Sequence, residues 1–177
     1  MMRILFRGIT PQYEEGKTFV VNGKSQLGKW SVGSLFTRFN RNNFEYYIIS
    51  NSDEEKKIPV IEDTISIYTH KDDVNGNRLF TNDIVQYNLN DEFIVTGIIR
   101  FGDYKYNMFS QVNGFYIEVI KVKNISEKDY PVSYADYPTE CPMNNKKLIL
   151  VGNVFENLNV FSCEKGEYTP ESAKIEF

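Results

Sequence analysis

The chain has 177 residues and a mass of 20.7 kDa, with 41% hydrophobic and 15% aromatic side chains, enough apolar surface for one or two small domains. Mean hydropathy is −0.41, and no apolar run approaches the roughly 18 residues of a membrane span, so a spanning helix is excluded. The net charge of −4 is unevenly spread: seven Lys/Arg against three acids leave residues 1–50 at +4, while thirteen against twenty-one leave 51–177 at −8.

The opening Met1–Gly8 is too short in its apolar part for a secretory signal. Cys141 and Cys163 form no Cys-x-x-Cys pair, which fits two reduced thiols in a cytoplasmic setting. Alanine occurs only at Ala135 and Ala173, whereas Tyr, Phe, Val and Ile abound. Alanine is the best helix former, and β-branched and aromatic side chains suit a pleated surface, so the expected fold is mainly β.

The first predicted unit spans 1–50. Arg3–Arg7 and Thr18–Val21 are short apolar runs, Trp30–Phe36 has an imperfect two-residue period, and Phe44–Ser50 is a further strand candidate. Asn22-Gly23 is a turn signal, and Gly28 and Asn40–Asn43 punctuate later turns. The polar, charged 51–57 reads as a linker and marks the expected boundary. A second, small barrel-like β unit is then expected over 58–161. Its strands are Ile58–Tyr68, alternating at Ile61, Ile65 and Ile67, then Leu79–Tyr87, Phe93–Phe101, Phe115–Val122 and Leu148–Val154. Residues 123–147, with Pro131, Pro138 and Pro142, form a long loop, and 162–177 a tail.

Chemistry is sparse. Lys71–Gly76 has the outline of a calcium loop, but a cation in the first ligand position repels the metal and Asn82 stands where a bidentate Glu is needed. The segment reads instead as a turn in which Asp and Asn side chains cap their own backbone. His70 lies near Asp72 and Asp73 without a nucleophile in its motif and reads as a surface histidine. No hydrolase, phosphate-loop, zinc or dinucleotide motif occurs, so neither catalysis nor a metal or other cofactor is expected.

Two stretches suggest contacts. From Gly16 to Phe44 there is no acid, and Lys24, Lys29, Arg38 and Arg41 interleave with Phe19, Trp30, Phe36, Phe39 and Phe44. Cations plus stacking rings suit single-stranded nucleic acid, whereas aromatic residues at strand spacing are commonly core. If the first reading holds, Lys29, Arg38 and Arg41 share one exposed face. Tyr130, Tyr134 and Tyr137 in the long loop read as a protein-contact surface or as the loop's own small core.

Three segments in order carry a resemblance: Phe6-Arg7-Gly8 with Gly28-Lys29-Trp30-Ser31-Val32-Gly33; Thr64 and Tyr68-Thr69, then Asp73-Val74-Asn75-Gly76 with Asp83-Ile84-Val85; and Gly152-Asn153-Val154-Phe155-Glu156-Asn157. Together they resemble the YopX-like family of phage and prophage proteins over residues 3–161. The chain departs from that pattern at His70 and at Asn82, both in positions where the family commonly has glycine. Its spacing between Gly8 and Gly28 is also long. The resemblance implies a small, mainly β protein of a bacterial host's cytoplasm, with self-association into a homo-oligomer and no catalytic residues to carry over. Physically, Asn75-Gly76 turns a hairpin, Gly152 relieves crowding on a strand, and Asp83 caps a turn while Ile84 and Val85 enter the core. The expected function is a non-catalytic protein-binding or regulatory module, with a nucleic-acid-binding accessory protein as the alternative. The opposite charge of the two parts, and Ile175 and Phe177 as anchors for a neighbour's sheet edge, favour homo-oligomers.

Overall fold

A computed structural model describes residues 4–11, 16–22, 24–50, 56–89, 93–107, 110–124, 140–143 and 146–156. Over the described residues the chain is mainly β, 75% strand and 3% helix, and forms two antiparallel sheets. Its strands are β1 (Phe6–Pro11), β2 (Lys17–Val21), β3 (Lys24–Asn40), β4 (Asn43–Ile49), β5 (Lys57–Pro59), β6 (Ser66–Asp72), β7 (Arg78–Phe80), β8 (Asp83–Asn88), β9 (Phe93–Asn107), β10 (Ser110–Asn124), β11 (Glu140–Pro142) and β12 (Ile149–Asn153). A single 3-10 turn, Glu62–Thr64, precedes β6. No helix among the described residues is long and apolar enough to cross a membrane.

The chain divides into two compact units between Thr69 and His70. The division falls later than the polar stretch 51–57, because the segment after that stretch returns to the first sheet. Residues 51–55 themselves lie outside the described residues. β5 pairs with β4, and the start of β6 pairs with β1 through Phe6↔Ile67 and Arg7↔Ser66. Within the first unit the sheet runs β5-β4-β3-β1-β6, with β2 on β3; the last residues of β6, and β7, belong to the second unit.

The core of the first unit holds Ile9, Phe19, Val21, Ile48 and Val60. Gly28 was expected to end a strand, but β3 passes straight through it. A Cβ there would lie 2.6 Å from Ile9 Cγ2, and one on Gly33 only 2.0 Å from the Ile49 carbonyl oxygen. Both glycines therefore serve close approach of neighbouring strands rather than chain reversal. Phe19 packs edge-on against Trp30 at 5.6 Å, and the buried Arg7 guanidinium stacks over the Trp30 ring at 4.3 Å.

The stretch Ile58–Tyr68 is not one strand. Its isoleucines, Ile61, Ile65 and Ile67, are only half-buried, while Thr64 and Ser66 are fully buried. The Thr64 hydroxyl accepts from Ile9 N–H at 2.8 Å and donates to the Ile61 carbonyl at 2.7 Å, and Ser66 Oγ donates to the Thr64 carbonyl at 3.1 Å. Burial of these hydroxyls is tolerated because their hydrogen bonds are made inside the fold.

The second sheet runs β11-β10-β9-β8-β12. It was expected to close as a barrel, but among the described residues β11 and β12 do not pair, and the sheet stays open. Leu79, Val85, Tyr87, Val95, Ile99, Ile117 and Val119 form its core, with Cys141, Met143 and Leu148. The β9–β10 ribbon continues well beyond the predicted ends at Phe101 and Phe115. Gly102 and Gly114 face each other without ending it. Pairing continues beyond them, where Asn113 Nδ2 donates to Asp103 Oδ1 at 2.8 Å, and Tyr104 stacks back on Tyr116 at 5.2 Å.

Candidate functional site: an aromatic hairpin arm

β3 is 17 residues long, and its neighbours cover only part of it. β1 pairs with Gly28–Gly33 and β5 with Tyr47–Ile49, and the Tyr46 carbonyl accepts from Val60 N–H at 3.0 Å, so among the described residues the strand pairing of Leu35–Glu45 is that of β3 with β4. The two-residue connection Arg41-Asn42 has φ values of 43° and 77°. Positive φ at both central residues is the signature of the turn that matches strand twist in a tight hairpin.

Register sorts the arm's side chains. Opposite residues share a face, and alternate residues along a strand leave opposite faces. One face carries the pairs Thr37↔Tyr46 and Phe39↔Phe44; the other carries Phe36↔Tyr47 and Arg38↔Glu45. Phe39 and Phe44 are 64% and 59% exposed, with ring centroids 5.1 Å apart. Tyr46 extends the row, 6.5 Å from Phe44, and its hydroxyl donates to Glu62 at 2.7 Å.

The opposite face is a polar lock. Glu45 accepts from Asn40 Nδ2 at 2.8 Å and from the Tyr47 hydroxyl at 2.8 Å. The Asn40 amide first, then the Tyr47 hydroxyl and the Arg38 charge, hold the Glu45 carboxyl below the usual carboxylate range. Lys57 Nζ sits 4.0 Å over the Phe36 ring. A free two-stranded ribbon is marginal in water, and this cross-strand network is what stiffens it.

The four basic residues do not converge. Lys24, Lys29, Arg38 and Arg41 are all exposed, but Lys29 stands opposite Thr10 and Arg38 opposite Glu45. Their separation along β3 is odd, so they leave opposite faces. Lys24 faces Val21 at the far end of the strand, and Arg41 lies in the turn. Of the interleaved rings, Phe19 is core and Trp30 and Phe36 are half-buried, which leaves Phe39 and Phe44 as the exposed pair. Tyr130, Tyr134 and Tyr137 lie outside the described residues. Tyr46 and Lys57, which complete the arm, carry no motif; only the cross-strand register brings them in.

The remaining marked positions form turns. The backbone N–H groups of Asn75 and Asn77 donate to Asp73 Oδ1 at 2.9 and 2.8 Å, and Gly76 has φ 82°. Phe80 N–H donates to Asp83 Oδ2 at 2.8 Å, while Ile84 and Val85 are fully buried. Gly152 pairs with Ile84 just past a register shift in β12. His70 is exposed, with φ 59°. Among the described residues no three His, Cys, Asp or Glu side chains gather in metal-ligating range. Comparisons with protein-family models, with curated proteins and with solved structures return no match for this chain.

Proposed function

We propose that this chain is a YopX-like, phage-encoded protein that works without catalysis, as a binding or regulatory module whose β3–β4 arm docks on another protein. The observation that carries this reading is the exposed Phe39–Phe44 pair on a ribbon whose opposite face is tied by the Asn40 and Tyr47 hydrogen bonds to Glu45. Burying a phenylalanine side chain is worth roughly 1.5–3 kcal/mol, and aromatic residues are enriched at interface cores. Arg41 at the tip, and the lack of any acid from Gly16 to Phe44, suit a partner surface with an acidic rim.

The family part of the reading draws support from backbone geometry. His70 and Asn82 replace the glycines of the YopX-like pattern, and both have positive φ, 59° and 67°. Glycine adopts that conformation freely, and Asn and His are among the few other residues that tolerate it. The Asn82 side chain adds a contact glycine lacks, accepting from Arg100 Nη1 at 2.7 Å.

Affinity capture from infected cells with the native chain and with a Phe39→Ser/Phe44→Ser double variant tests the docking role. A specific protein must be recovered by the native chain and lost with the variant; equal recovery by both refutes the arm as the contact. The second reading, nucleic-acid binding, uses the same two rings with Arg41. It is weaker because Arg38 lies on the opposite face beside Glu45. Absence of oligonucleotide binding at low salt removes it. Self-association into a homo-oligomer belongs to the same proposal, and sedimentation of the full chain and of a version ending at Cys163 tests it.

A further inference from the structure

The second unit has an open groove of about 550 Å³, lined by Val74, Tyr87, Leu89, Ile149, Lys146 and Lys147 among others. Val74, Leu89 and Ile149 are 54%, 41% and 43% exposed. Three aliphatic side chains thus meet in water at one place, flanked by two ammonium groups, and none of the described lining residues is a carboxylate. Scattered exposed aliphatics need no explanation, whereas apolar side chains that converge in one groove with a polar rim have the arrangement of an interaction site.

The groove is built before any ligand arrives. Val74 N–H donates to the Leu148 carbonyl at 3.0 Å, and Leu150 N–H donates to Asp73 Oδ2 at 3.1 Å, tying the Val74 wall to the segment that carries both lysines. Lys146 Nζ is held 4.1 Å above the Tyr87 ring. These same bonds occupy the backbone groups of Leu148 and Leu150 on either side of Ile149, so a ligand here is gripped by side chains rather than added as a strand.

We infer that this groove binds an acidic peptide segment of a partner protein in which apolar and carboxylate side chains alternate. The apolar side chains fill the trough between Val74, Leu89 and Ile149, and the carboxylates pair with Lys146 and Lys147. Charge complementarity selects this occupant: an apolar segment without acids gains nothing from the two ammonium groups, and a basic one is repelled.

The test uses the full-length protein and a fluorescent library of eight-residue peptides alternating Asp/Glu with Leu, Ile, Val or Phe. Controls are the same library with Lys in place of the acids, dodecanoate and oligo-dT. The alternating acidic peptides are expected to bind and to shift the methyl NMR signals of Val74, Leu89 and Ile149. Lys146→Glu/Lys147→Glu is expected to weaken binding at least tenfold, while Phe39→Ser/Phe44→Ser leaves it unchanged, which separates this site from the hairpin arm. Equal binding of the Lys library, no methyl shifts, or an unaffected Lys146→Glu/Lys147→Glu variant overturns the inference. So does binding of dodecanoate or oligo-dT with no binding of the peptides.

Discussion

The Asp73 carboxylate accepts the Leu150 backbone N–H at 3.1 Å across 77 positions of chain, while its other oxygen holds the turn at Asn75 and Asn77. Among the described residues β12 is an edge strand, and the same turn takes the carbonyl of Leu148, just before it, through Val74 N–H. A turn that caps its own backbone therefore also closes part of a sheet edge, one of the ways proteins keep edges from pairing with other chains.

Removing that carboxylate is costly. Asp73→Ala leaves several partly buried N–H donors without an acceptor, and a loss of about 3 kcal/mol is expected, read as a lower midpoint in urea unfolding.

Asp73 also sets an acid limb of stability. Burial alone raises its pKa, but hydrogen bonds from Asn77 N–H, Leu150 N–H, the Asn77 side chain and Asn75 N–H outweigh it and lower the value from 3.8 to about 2. The folded value lies below the unfolded one, so this contribution is complete above pH about 4 and is lost as pH falls towards 2. Thermal midpoints measured from pH 5 down to pH 2 should fall more steeply for the native chain than for Asp73→Ala. Parallel curves refute the role.

The glycines separate by mechanism. Gly33→Ala places a methyl 2.0 Å from the Ile49 carbonyl oxygen, so the β3–β4 backbone must shift. The expected cost is about 3 kcal/mol. Gly76→Ala meets open space but sits at φ 82°, and about 1 kcal/mol is expected. Gly114→Ala meets neither obstacle and should be neutral or stabilising by roughly 0.5 kcal/mol. Unfolding midpoints that do not follow this order refute the assignment.

At residue 70 the informative comparison is between two variants that both lack the imidazole. His70→Gly accepts φ 59° freely, whereas a β-branched side chain does not. His70→Val should be less stable than His70→Gly by about 1–2 kcal/mol. Equal midpoints show that the local backbone relaxes.

The hairpin turn can be strengthened by composition alone. Arg41→Asn with Asn42→Gly supplies the pair favoured at two positive φ values, and a gain of about 1 kcal/mol is expected in thermal unfolding. Slower amide exchange at Phe39 and Phe44 should accompany it.

What the sequence determined by itself was short-range. The scarcity of alanine and the wealth of β-branched and aromatic residues specify strands, because those preferences act within a few residues. The Asp73–Gly76 turn and the Asp83 cap are readable for the same reason: donor and acceptor sit two to four positions apart. Tertiary structure decided the rest. Thr64 rather than Ile65 is fully buried because Thr64 meets Ile9 N–H, 55 positions away. Phe19 is core and Phe39 is not because β2 packs its ring against Trp30, while β3 outruns its neighbours. Lys29 and Arg38 look alike in an acid-free run, yet strand alternation sends them to opposite faces and Glu45 answers one of them. In each case the outcome depends on a partner remote in the chain, which local preference does not contain.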